Sequence, residues 1–200
     1  MKLLARGAAV AAAVALAAAG QARAQVDVSG GGLATACAVA AKNGESAYRF
    51  EQICTDSLDK EMLIPLDRAG TYVNRGIIKM RSQQYEAAIK DFDTAIRYKS
   101  DLAEAYVNRG AARIGAHRFS EAVSDFDNAL QLNVKEPEKA YYNRALAHEW
   151  LDDFKDAYLD YQKALEIAPD WELVRVQLAR FTVSHVQAQT AAPAPTPPKP

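Results

Sequence analysis

Three arginines stand at matched places in the sequence, Arg75, Arg109 and Arg144, and each is followed sixteen residues later by an aspartate, Asp91, Asp125 and Asp160. A guanidinium and a carboxylate at such a spacing can do two things. The arginines can form a row that holds an anionic ligand, or each can grip its own aspartate through the bidentate hydrogen bonding that a planar guanidinium favours. The midpoints of the three pairs fall at Gln83, His117 and Asp152. If the chain turns back on itself there, every arginine faces its aspartate, and the spacing reads as three internal ion pairs. Directly before the arginines stand Asn74, Asn108 and Asn143. Their amides carry donors and an acceptor, which can tie neighbouring helices together or meet a ligand.

No other set of side chains converges on a reaction. His117, His148 and His185 are scattered, without metal-ligand spacing. Nucleophile elbow, phosphate loop and dinucleotide fingerprint are all missing from the sequence, and Asp152 and Asp153 read as solvated turn residues. The expectation is a protein without enzymatic activity, cofactor or metal.

The first residues read as a targeting leader. Lys2 and Arg6 precede the uncharged stretch from Gly7 to Gly20, and "ARA" at Ala22 to Ala24 is a small-x-small cleavage signal, so residues 1–24 are expected to be removed and the mature chain to begin at Gln25. A bilayer core needs about 20 apolar residues, so a membrane anchor is not the expectation. Export to a bacterial periplasm is. Losing Lys2, Arg6 and Arg23 leaves 21 basic and 25 acidic residues, a net charge of −4, which argues against a nucleic-acid partner. In that oxidising setting the even cysteine count, Cys37 and Cys54, points to a structural disulfide. Free buried thiols and a thiol-dependent function are the alternatives, although the spacing is not the Cys-x-x-Cys of redox enzymes. The last stretch, "QTAAPAPTPPKP", carries five of the eight prolines and reads as a solvated tail over residues 188–200.

The elements that must position these residues follow from a repeat. "YVNRG" at Tyr72 to Gly76 returns at Tyr106 to Gly110, and "YYNRA" stands at Tyr141 to Ala145, 34 and then 35 residues apart. Ala88, Ala122 and Ala157 align, as do Phe92, Phe126 and Tyr161, Ala95, Ala129 and Ala164, and Tyr85, Phe119 and Phe154. Apolar residues recur at spacings of three and four, the period of a helix. A constant period of this length marks stacked helical hairpins. Gly76 and Ala88, nearly equidistant from the turn, are expected to let the two helices of a hairpin approach closely.

This pattern resembles the tetratricopeptide repeat family over Ala69 to about Asp170. Family repeats usually end in a proline, present here as Pro169 only in the third copy, with Ser100 and Val134 in its place in the others. The resemblance implies an all-α, right-handed α-solenoid of antiparallel helix pairs: three units over residues 65–187 including a capping helix from Trp171 to Val186, preceded over 25–64 by a hairpin of Leu33 to Lys42 and Ala47 to Lys60. It also implies that the first helices line a concave face on which Asn74, Asn108 and Asn143 bind the backbone of an extended peptide, beside Val73, Ile77, Val107, Ala111, Tyr142, Leu146 and Trp150. Members that bind chaperone tails clamp a terminal carboxylate with lysines; here Arg81 and Lys139 are the nearest candidates. The expected role is a scaffold or assembly factor for a protein or peptide partner, monomeric or homodimeric. A self-associating protein whose groove is filled by its own proline-rich tail or by a neighbour is the alternative.

Overall fold

The computed structural model describes residues 26, 28, 32–46 and 48–190, with side chains through Phe181. The leader at 1–24 and the tail from 191 onward lie outside the described residues. Within them the chain forms nine helices and no strand: α1 Leu33–Lys42, α2 Tyr48–Lys60, α3 Pro65–Arg81, α4 Tyr85–Tyr98, α5 Ala103–Gly115, α6 Phe119–Gln131, α7 Pro137–Trp150, α8 Phe154–Ile167 and α9 Glu172–Thr190. Consecutive helices pack as hairpins, each hairpin leans on the next, and α9 covers α8. The architecture is an all-α helical-repeat solenoid.

Local chemistry sets the boundaries. Pro65 and Pro137 occupy the first turns of α3 and α7, where a missing N–H costs nothing. Gln83, His117 and Asp152 have φ near +60°, and they are the midpoints of the Arg–Asp pairs. Each sits where the first helix of a hairpin ends. There the next residue's N–H returns to a carbonyl five residues back: Gln84 to Lys79 (2.9 Å), Arg118 to Arg113 (2.8 Å) and Asp153 to His148 (2.9 Å). This Schellman closure needs a left-handed residue, and here non-glycine residues supply it. The capping helix runs from Glu172 to Thr190, four residues beyond the expected Val186, so 188–190 belong to it rather than to the tail.

The repeated glycine has a more specific task than general helix approach. A Cβ built on Gly76 would stand 2.6 Å from Cε1 of Phe92, and one on Gly110 2.8 Å from Cζ of Phe126. Each glycine is the seat for the ring of its own repeat, and both rings are fully buried. Ala88, Ala95, Ala122, Ala129, Ala157 and Ala164 are buried at the contacts between helices.

The N-terminal hairpin is fastened at several points. Cys37 on α1 and Cys54 on α2 form a disulfide, with Cα atoms 4.9 Å apart. Glu61, just past α2, accepts the N–H groups of Leu33 and Ala34 (both 2.8 Å) and the hydroxyl of Ser57 (2.6 Å). It thereby caps α1 from another element. Ser57, and next the backbone N–H groups of Leu33 and Ala34, hold its carboxyl below the ordinary value against the opposing effect of burial.

Candidate peptide-binding face

The motif arginines lie on α3, α5 and α7. Arg75 donates through Nε and Nη2 to the two oxygens of Asp91 (2.9 and 2.7 Å). Arg109 grips Asp125 from Nη2 at 2.6 Å, and Arg144 grips Asp160 at 2.8 and 2.7 Å. All three aspartates are buried. The tyrosine that opens each motif carries the arginine on its ring, at 5.3, 5.3 and 5.4 Å from the centroid. With their carboxylates filled in this way, the arginines do not form an open row for an anion.

Each arginine also reaches the preceding unit, a set of partners that the sixteen-residue spacing did not name. Arg109 Nη1 bonds Asp93 at 2.6 Å, Arg144 Nη1 bonds Asp127, and Arg75 Nη1 donates to Thr55 Oγ1 of α2 at 3.1 Å. The signal was present as Asp-x-Asp: Asp91 and Asp93, then Asp125 and Asp127, but Asp160 and Gln162 in the last copy, which no arginine follows. One turn after the motif, Lys79 and Arg113 reach Asp91 and Asp125 as well (2.9 and 2.6 Å). Burial pushes the Asp125 carboxyl above its ordinary value, against Arg109 and Arg113. The Arg109 guanidinium is pushed up by Asp125 and Asp93 in spite of burial. Three N–H donors on the one carboxylate serve its charged form.

Of the residues expected to floor an open trough, all but Trp150 are buried in this structure. Asn74, Asn108 and Asn143 are at most 1% exposed, and Val73, Ile77, Val107, Ala111, Tyr142 and Leu146 are buried with them. One covering element is visible: Val26, itself 8% exposed, lies on α3, and its backbone carbonyl accepts a hydrogen bond from Asn74 Nδ2 at 3.1 Å. Asn108 Nδ2 donates to Glu104 O within α5 at 2.7 Å. Neither amide atom of Asn143 has a hydrogen-bond partner among the described residues. Tyr142 packs between Tyr161 and Trp171, at 5.7 and 5.1 Å, and burial pushes its hydroxyl up. Trp150 stacks flat on Phe119 at 5.0 Å with His117 against its edge. It therefore joins the turn of the second repeat to the third. Arg81 donates to the carbonyl of Glu45 and Lys139 pairs with Glu136, so neither stands as a carboxylate clamp. No group of three or more metal-ligating side chains occurs among the described residues.

Stacked hairpins with a repeating Arg–Asp lattice and one continuous first-helix face define a helical-repeat scaffold. A family model for the tetratricopeptide repeat matches residues 138–170, and one for the TPR repeat matches 76–113. The two matches mark tetratricopeptide repeats within this chain, at 76–113 and 138–170. No curated protein matches it. Among solved structures, the first TPR domain of human RPAP3 superposes with TM-score 0.58 at 22% identity, over 64% of this chain and all of that one. The second TPR domain of human RPAP3, in complex with the HSP70 peptide SGPTIEEVD, gives 0.56 at 24% identity, over 60% of this chain and 98% of that one. A MamA RS-1 ArsTM double mutant gives 0.66 at 16% identity, over 80% of this chain and 89% of that one. At these identities the likeness concerns the fold.

Proposed function

We propose that this chain is an exported, non-enzymatic scaffold that holds an extended peptide segment of a protein partner along the first-helix face, in the cell envelope. The observation that carries this reading is the bond from Asn74 Nδ2 to the carbonyl of Val26. It is an amide of the repeated motif holding a peptide backbone, the mode of binding that reads no particular side chain. The second TPR domain of human RPAP3 holds a peptide, which supports the same use of the fold here. The tied Arg81 and Lys139 argue for an internal segment rather than a terminal carboxylate as ligand. The leader-like residues 1–24 support export, with processing after Ala24.

The test is capture from envelope extract by the purified wild-type protein and by an Asn108→Ala/Asn143→Ala variant of unchanged helicity. Loss of a specific partner in the variant is the expected result. Equal capture by both proteins rejects the face as the binding site.

A further inference from the structure

The segment at Val26 and Val28 is more than a cover. A Cβ built on Gly70 would stand 2.9 Å from Cγ1 of Val26 and 3.6 Å from Cγ1 of Val28. Both valines therefore rest over one glycine of α3, with Asn74, four residues on and one turn along the same face, holding the Val26 carbonyl. Val26 and Val28 both reach this one glycine, so the seat takes β-branched side chains two positions apart. The notch is unique to the first repeat, because Glu104 and Lys139 stand at the matching places of the other two. Three consecutive glycines, Gly30 to Gly32, then link the segment to α1. The amide of Asn143 is buried without a partner among the described residues, so that asparagine still has bonds to offer.

We propose that Val26–Val28 is a built-in ligand of the concave face, which a partner displaces with an extended segment carrying valine or isoleucine at alternate positions. This rests on the peptide-binding reading above and adds the chemical class of the ligand. A segment tethered through a short linker competes at an effective concentration on the order of millimolar, so only a well-matched or longer segment takes its place.

The probe is a fluorescein-labelled peptide of residues 25–32, QVDVSGGG, titrated into the purified full chain. Val26→Glu places a charge in the dry seat and should eject the internal segment. The labelled peptide should then bind the Val26→Glu protein at least about tenfold tighter than wild type, as removal of a tethered competitor requires. Adding Gly70→Leu, which fills the notch, should abolish that binding, and a peptide with aspartate at both valine positions should not bind. Equal affinity for wild type and Val26→Glu, or indifference to Gly70→Leu, overturns the proposal. If Val26→Glu fails to fold, amide hydrogen exchange of residues 25–33 is compared in wild type and Asn74→Ala. Severalfold faster exchange in Asn74→Ala supports the proposal, and unchanged exchange overturns it. None of these measurements uses a foreign partner. A chain that exchanges its own segment yet captures nothing keeps the internal ligand and rejects the scaffold reading.

Discussion

Asp125→Ala should be among the most damaging single truncations in the lattice, and Asp93→Ala among the mildest, although both residues bind Arg109. Asp125 is 1% exposed and takes bonds from Nε and Nη2 of Arg109 and from Nη1 of Arg113. Removing it strands two guanidinium groups whose side chains are each 14% exposed. Breaking a buried pair by deleting one partner costs about 3–5 kcal/mol. The lower end applies, because Arg109 keeps Asp93 and Arg113 keeps Glu121 at 3.3 Å. Burial raises the Asp125 carboxyl, so forming the pair gains little, whereas halving it leaves charge uncompensated. Asp93 is 38% exposed, and an ion pair at such a surface contributes about 1 kcal/mol or less. For a chain of this size each kcal/mol moves Tm by about 2–4 °C. Asp125→Ala should therefore melt roughly 6–12 °C below wild type, and Asp93→Ala no more than about 4 °C below. Thermal melts by far-UV circular dichroism, with Trp150 and Trp171 fluorescence reporting the third repeat separately, give both numbers. Repeat arrays can unfold by parts, so the two signals should be compared in each variant. Equal losses for the two variants, or an Asp125→Ala loss as small as that of a surface pair, would refute the argument that burial ranks these contacts.

Gly76→Ala should lower Tm even though alanine is better by about 1 kcal/mol in a helix interior, because its Cβ meets the Phe92 ring at 2.6 Å and overpacking costs about 1–3 kcal/mol; a Phe92→Leu background should remove the penalty, measured as a double-mutant cycle. Glu61 has a folded pKa held below its unfolded value, first by the Ser57 hydroxyl, so its cap on α1 is present above the unfolded value near pH ~4.3 and is lost as pH falls through the lower folded one. Melts taken from about pH 6 down to about pH 3 should fall more steeply for wild type than for Glu61→Gln, which has no such carboxylate to titrate. Reduction of Cys37–Cys54, which closes a span of 17 residues, should remove about 3 kcal/mol from the N-terminal hairpin in the chain-entropy model, read as faster proteolysis between α1 and α3 with the third repeat unchanged.

What could be read from the sequence was what the sequence repeats. The helical period, the hairpin turns at Gln83, His117 and Asp152, and the sixteen-residue Arg–Asp spacing each recur three times. Each also lies within one hairpin, where chain geometry leaves few alternatives. The partners in the preceding repeat, Asp93 and Asp127, were written as plainly, and the absence of a third at Gln162 marks where the arginine row ends. A guanidinium has donors for two carboxylates, so the sixteen-residue spacing within one hairpin accounts for only part of what each arginine binds. Glu61 as the cap of α1 occurs once, and its partners lie 27 and 28 residues away, so no periodicity announces it.

The asparagines show the limit most clearly. Their repeat places them on one face, and that much follows from the period. Whether the face is open depends on residues that do not recur: Val26, 48 positions before Asn74, and Gly70, whose counterparts are Glu104 and Lys139. Repetition fixes the scaffold because every unit must present the same surface to the next. A binding site must differ from its neighbours if it is to choose among ligands. The selective part of this protein is accordingly sought where the copies disagree, and the Gly70 notch with a valine pair resting in it is the disagreement that already has an occupant.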